Sequence, residues 1–395
     1  MNKVLIIGMS DVTRVIVPIL CRKGGMADEI CIASKNKEEC DELKRQYKDA
    51  PVRIVTAGVD VTNEEKALLM MRIFGPNLII NLAPAWLNKQ IMGIAVKIGS
   101  SYIDTKYYAD ETGRTCLIEE QFEMAQSFAS NNITGVTGCS FNMAAFICLA
   151  KLAIAEKTLD SISSVDIIDI SKNSDPSVSI PSMEDLTRLS EPAKYLKDGE
   201  IIEAPSLSIE SEFSFDDEEP TRIYMFSSPI IDTYQRGMPE IKNVRYFADL
   251  EQNTVNVAAT LRDVGMLGTD PVNIKGVEIA PLDFLSKVLP TDVASGKSIC
   301  ERIKGVILSG KKDGEDKDVF MYFKCKDSDE PSKFGVNTSS YFSAVTLLAG
   351  ASLIKSEGWN IPGVFTPGDF EPQLLLAKMS DLGIKYSIGL DFKKP

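Results

Sequence analysis

A chain of 395 residues without one histidine must carry out any proton chemistry with Asp, Glu, Lys, Tyr, Cys or water. Ser-His-Asp and Cys-His nucleophilic mechanisms are thereby removed, as is a histidine-ligated metal, and no metal site is expected. Titratable groups gather at one place in the first third of the chain, where Asp104-Thr105-Lys106-Tyr107-Tyr108 follows a short apolar run. Asp104, Lys106 and Tyr107 are the catalytic acid/base candidates.

A second chemistry-bearing segment is Gly8-Met9-Ser10-Asp11-Val12-Thr13, directly after Val4-Leu5-Ile6-Ile7. A dinucleotide loop uses its first glycine for a tight turn, its second to let backbone approach the pyrophosphate and its third for close helix packing. Those places hold Gly8, Ser10 and Thr13. Asp11 sets a carboxylate at the positive end of a helix, where phosphate would bind. Either Asp11 caps that helix and fills the phosphate position, or the loop is a weakened cofactor loop using Gly8, Ser10, Asp11 and Val12.

Further candidates follow the next apolar runs. Ser34 and Lys35 stand where an acidic residue would select a ribose hydroxyl, so a bound dinucleotide would be NADP rather than NAD. The alternative for Lys35 is a lysine exposed in a surface turn. Asp60, beside Val61, either reaches an adenine amino group or starts the next helix. Asn81, Leu82, Ala83 and Thr105 would border a nicotinamide. Arg262 is a candidate anchor for a substrate carboxylate, with a surface ion pair as the alternative.

The elements that must position these residues alternate between strand and helix. Strands are predicted at 4–7, 29–33, 53–59, 78–82, 102–104 and 134–137, with helices at 12–23, 37–48, 63–74, 87–98, 119–130 and 144–154. This is the signature of a doubly wound parallel sheet, a Rossmann-type α/β domain over residues 1–140. From residue 163 the pattern changes to strands at 164–170, 206–215, 221–226, 243–248, 305–310 and 319–324, separated by polar turns. A second α+β domain with a mixed or antiparallel sheet is expected over 141–335, for substrate binding and dimerisation. Its long connection 171–186 is a candidate ligand-covering loop. Helices at 340–355 and 371–382 suggest that 336–395 returns to the first domain.

Composition narrows the partners. A net charge of −13 disfavours nucleic acid and anionic membranes, both of which need clustered Lys and Arg. A small-molecule substrate of cationic, amine type is compatible with it. Eight cysteines without a C-x-x-C pair fit a reducing cytoplasm. No stretch approaches the length of a membrane span, and the N-terminus enters its first strand without a signal-like segment.

The segments Glu29–Lys35, Asn77–Asn81, Tyr102–Thr105, Gly138–Phe141, Val165–Asp169, Leu261–Met266, Pro281–Pro290 and Trp359–Val364 run in order along nearly the whole chain. Together they resemble the saccharopine dehydrogenase-like oxidoreductases, in particular their carboxynorspermidine (carboxyspermidine) dehydrogenase branch. The resemblance implies that an NADPH hydride reduces the imine formed between aspartate semialdehyde and a diamine. It also implies a homodimer joined through the second domain's sheet, and substrate contacts at Cys139 and Asn142.

The chain departs from the family at its loops. The family's G-x-F-D-P-G segment reads Cys139-Ser140-Phe141-Asn142-Met143-Ala144, and its T-G-V-P turn corresponds to about Ser340–Ser343. The family's histidine-bearing loops match 171–185 and 327–330, which hold none. Two readings therefore stand: an NADP-dependent oxidoreductase acting on a C–N bond, or a non-catalytic relative that uses the fold to bind a ligand or partner.

Overall fold

The computed structural model describes residues 2–22, 26–110, 116–173, 186, 189–216, 219–288, 300–356, 358–389 and 391–395. They form two compact units, one of residues 1–155 and 330–385, the other of 156–329 and 386–395. The first unit thus runs past the expected boundary at 140, and the last ten residues pair with the second. The helix Phe146–Ala155 is nearly all apolar and buried, so it joins the core that begins with the strand before it.

The first unit is built on a seven-stranded parallel sheet. Its first six strands are β1 (Lys3–Ile7), β2 (Glu29–Ser34), β3 (Arg53–Gly58), β4 (Leu78–Asn81), β5 (Ser101–Asp104) and β6 (Thr134–Val136). The sheet order is β3-β2-β1-β4-β5-β6, with Gly363–Phe365 as the outermost strand beside β6. This is the doubly wound order with its reversal at β1 and β4, the place where such sheets bind ligands. The continuous apolar runs of β1 and β4 are fully buried, as a sheet covered on both faces requires. The first helix, α1 (Asp11–Leu20), packs beside Thr338–Lys355, an apolar helix returned from the C-terminal part of the chain.

Two helices differ from expectation. The span 119–130 divides into Ile118–Phe122 and Ala125–Ser130, and the helix after β6 opens with a wide turn at Phe141–Ala145. Such turns are rare and break the regular ladder at the point where the expected helix would begin.

The second unit is a mixed sheet. Its main path runs 386–389, 315–326, 300–312, 161–173, 243–249, 221–225, 210–215 and 392–393, with the hairpin 193–197/200–204 attached to 243–249. Strand 243–249 is parallel to 161–173 and antiparallel to 221–225. One face carries the core of Ile168, Ile170, Phe213, Phe215, Phe247, Ile303 and Phe320. The expected loop 171–186 lies mostly outside the described residues.

Candidate functional site at the strand ends of the first unit

Gly8 turns the chain out of β1 with φ of +108°, which L side chains rarely adopt. A Cβ there would stand 2.8 Å from the Leu82 carbonyl oxygen, so no other residue fits between the ends of β1 and β4. Helix α1 then starts at Asp11, with Ser10 as its cap. The Ser10 hydroxyl accepts from the Thr13 N–H at 3.4 Å, a long bond. The expectation that Asp11 caps this helix is corrected, because the residue before it is the one with extended backbone and its side chain turned back. Asp11 is exposed and lies 3.9 Å from Arg14. The N–H groups of Asp11 and Val12 have no hydrogen-bond partner among the described residues, as first-turn donors do when no ligand takes them. Thr13 is fully buried, and its hydroxyl donates to the Gly8 carbonyl at 2.8 Å.

At the ends of β2 and β3, the Lys35 ammonium and the Asp60 carboxylate pair at 3.1 Å, both largely exposed. Hydrogen bonds from Thr62, with Lys35 alongside, hold Asp60 below the ordinary carboxylate range. Ser34 donates its hydroxyl to the Asn36 carbonyl at 2.7 Å, shaping the turn. Val61 is buried and its carbonyl accepts from Gln90.

The third group is a connected polar network inside the sheet. Asp104 is 1% exposed. It accepts from the Gly138 N–H at 2.8 Å, the Tyr102 hydroxyl at 2.8 Å and the Gln121 amide at 3.0 Å, and the Thr137 hydroxyl lies 3.1 Å away. Tyr102 in turn accepts from Asn81, which donates also to Asn88, and Asn88 donates to the Lys106 carbonyl at 2.7 Å. Gln121 takes the Tyr108 N–H at 2.6 Å. Burial pushes the Asp104 carboxyl up to about 7 against the pull of these donors.

The network locks the loop 105–108 to the sheet from both sides. Tyr107 is 4% exposed, and its ring lies so close to Gly138 that a side chain there would collide with it. Lys106 is exposed and Thr105 half-buried. As a group meeting substrate, Asp104 is therefore corrected: it faces the interior, and what it can do is hold the loop carrying Lys106. Asn81 is buried and orients Ala83 by accepting its N–H at 3.0 Å, while Leu82 and Ala83 remain half-buried at the edge.

Cys139 is fully buried beneath the helix Thr338–Lys355, with its thiol 3.7 Å from the Thr346 carbonyl and its pKa driven well above the ordinary range by burial. It cannot meet a substrate, which corrects that expectation. Asn142 is half-buried. The segments 139–144 and 340–343 do come together, through the stacked rings of Phe141 and Phe342 at 4.5 Å. Arg262 belongs to the second unit, exposed on the helix Gln252–Asp263, where it reaches Asp263 at 3.3 Å. The surface alternative is the one observed.

Sequence reasoning missed Tyr102, Gln121 and Thr137, which surround Asp104, and Asn88, which ties Asn81 to the Lys106 carbonyl. No motif marks them: Gln121 follows two glutamates, and Asn88 stands beside Lys89 and Gln90. Among the described residues no group of three or more Cys, Asp or Glu is placed to hold a metal ion, and no helix is long and apolar enough to cross a membrane.

Residues 4–136 match the family model described as the saccharopine dehydrogenase NADP binding domain. Over 98% of its length the chain is 23% identical to a carboxyaminopropylagmatine dehydrogenase of a Synechocystis species, covering 97% of that protein. It is equally similar to a carboxynorspermidine synthase of Vibrio alginolyticus, with 98% and 96% of the two chains covered. Among solved structures, apo saccharopine dehydrogenase (L-Glu forming) from Saccharomyces cerevisiae shares the fold, with a TM-score of 0.76 at 13% identity over 98% of this chain and 100% of that one. Residues 4–136, which hold the β3-β2-β1-β4-β5-β6 sheet and the glycine turn at Gly8, are thus similar to the saccharopine dehydrogenase NADP binding domain.

Proposed function

We propose that the chain is an NADP-dependent oxidoreductase of the saccharopine dehydrogenase type, reducing an imine formed from an amino-acid semialdehyde and an amine. The observation that carries this reading is the Gly8 turn, whose space against Leu82 admits only glycine, beside a helix start whose Asp11 and Val12 N–H groups are unpaired. The residues fit a dinucleotide. Gly8, Ser10 and the N–H groups of Asp11 and Val12 would take the pyrophosphate, while Ser34 and Lys35 would take the 2′-phosphate. Asp60 and Val61 would border the adenine, and Asn81, Leu82, Ala83 and Thr105 the nicotinamide.

When bound, that cofactor supplies the hydride. The chain's own part is positional and protonic. Asp104 fixes the 105–108 loop, Lys106 presents the exposed ammonium that delivers a proton, and Tyr107 walls the loop against Gly138. Asn142 is the substrate contact nearest in sequence to β6. The relatives' names, a carboxyaminopropylagmatine dehydrogenase and a carboxynorspermidine synthase, support an amine as one reactant. Eight free cysteines support a cytoplasmic setting. The hairpin 272–279, with Val272, Ile274 and Val277 exposed, supports a homodimer joined through the second unit.

Following nicotinamide fluorescence while NADPH is titrated into the pure protein tests this reading. Saturable binding is expected, tighter than for NADH. Its absence up to about 1 mM would leave the chain as a non-catalytic relative, the reading that the exposed Asp11 carboxylate at the helix start favours.

A further inference from the structure

A separate constellation of charged side chains lies on the other face of the second unit's sheet from the Phe213/Phe320 core. Strand register sets Arg302 opposite Ser171 and Lys304 opposite Asp169. Asp169 is buried, and its Oδ2 accepts from Lys304 Nζ at 2.6 Å and from the Tyr246 hydroxyl at 2.7 Å. Its Oδ1 has no hydrogen-bond partner, although Arg302 stands 3.7 Å away. Asp249 borders the same group, accepting from both the N–H and the hydroxyl of Ser171 at 3.0 Å.

The Arg302 side chain is one-third exposed, and its guanidinium forms no hydrogen bond with the described residues. The five donors of that guanidinium fork make no hydrogen bond among the described residues, and they meet the buried carboxylate oxygen beside them only as an ion pair at 3.7 Å, longer than a hydrogen bond. Buried polar groups of this kind are costly unless something satisfies them, so the pair points to a ligand.

The charges decide which ligand. A simple anion on Arg302 would meet the carboxylates of Asp169 and Asp249. A simple amine on Asp169 would meet the cations Arg302 and Lys304. A molecule carrying an ammonium and a carboxylate on one carbon satisfies each side at once. We propose that this constellation binds the zwitterionic end of an α-amino acid, its carboxylate on Arg302 and its ammonium donating to Asp169 Oδ1 and Asp249. As a binding site it stands apart from hydride transfer; as the place where a substrate's amino-acid end docks, it rests on the oxidoreductase reading above.

Calorimetric titration of the full chain with L-2-aminobutyrate, butyrate and propylamine tests it. Saturable binding is expected for the amino acid, at least about tenfold tighter than for either single-charge analogue. Arg302→Met keeps the apolar stem and leaves Asp169 hydrogen-bonded to Lys304, so the fold should hold while the amino acid's affinity falls at least about tenfold. No saturable heat from 2-aminobutyrate up to about 10 mM overturns the proposal. So does butyrate or propylamine binding as tightly as the amino acid, or an unchanged affinity in Arg302→Met. Should that variant not fold, the three-ligand comparison on the native chain decides alone. Amino-acid binding without NADPH binding would sink the redox reading and keep the site, and the converse would sink only the site.

Discussion

The Thr13 hydroxyl donates to the Gly8 carbonyl at 2.8 Å, tying the first helical turn of α1 to the residue that leaves β1. A buried β-branched residue is thereby accommodated where close helix packing usually uses glycine. Thr13→Val keeps the shape and removes the donor, leaving the carbonyl without it. We expect a loss of about 1–2 kcal/mol in urea-induced unfolding, and less than half of that for Thr13→Ser, which restores the hydroxyl. An unchanged stability in Thr13→Val would mean that water takes the hydroxyl's place.

Lys35 and Asp60 neutralise each other at the ends of β2 and β3. A 2′-phosphate on Lys35 must compete with that carboxylate. Lys35→Ala is therefore expected to weaken NADPH binding about tenfold and NADH hardly at all, and Asp60→Asn to tighten NADPH several-fold. Fluorescence titration with both cofactors reads the difference. Equal losses for the two cofactors would remove Lys35 from the 2′-phosphate role. The pair is exposed, so neither change should move the melting temperature appreciably.

Much of this frame was legible in the sequence because the first unit obeys local rules. Continuous apolar runs gave buried parallel strands, Asn63 capped its helix as its type suggests, and Gly8 marked its turn. The second unit was less legible. Its hairpins at 193–204 and 272–279 fall between the strands that the pattern predicts, although Asp198-Gly199 and Lys275-Gly276 carry the paired positive φ angles of tight hairpin turns. An Asp-Gly between apolar runs was signal enough to find the first. The Asp104 network and the Asp169–Arg302 group were beyond reach, because each joins residues far apart in sequence through strand register. Asp104 illustrates the limit: its type suggested acid/base chemistry, whereas its burial by Tyr102, Gln121 and Thr137 turns that chemistry inward.

Asp104 should leave a signature in the pH dependence of stability. Its carboxyl is raised from an ordinary value near 4 to about 7 in the folded chain. Between those limits the native state holds a proton that the unfolded chain releases, so stability falls as pH rises from about 4 to about 7. The full effect of such a shift is up to about 4 kcal/mol. Asp249, raised to about 6 by burial, acts in the same direction, so the slope of the native protein alone is not diagnostic. The difference between native and Asp104→Asn is. The variant's stability should be flatter between pH 5 and 7 by denaturant unfolding, and parallel curves would refute a protonated Asp104.

Lys304 offers the opposite sign. Its ammonium is buried 2.6 Å from Asp169, whose carboxyl burial would raise but which Lys304 and Arg302 bring down to about 2. Because the folded value lies below the unfolded one, the pair's contribution is present above about pH 4 and is lost as pH falls toward 2. Removing Lys304 leaves the buried Asp169 charge with only Arg302, at 3.7 Å, to compensate it, which costs up to about 3–5 kcal/mol. Lys304→Met should show that loss at pH 7, and the gap to the native protein should narrow below about pH 4 as Asp169 takes up its proton. Urea unfolding of both proteins at pH 7 and pH 3 measures this. A gap that stays constant would assign the loss to packing of the lysine stem rather than to its charge.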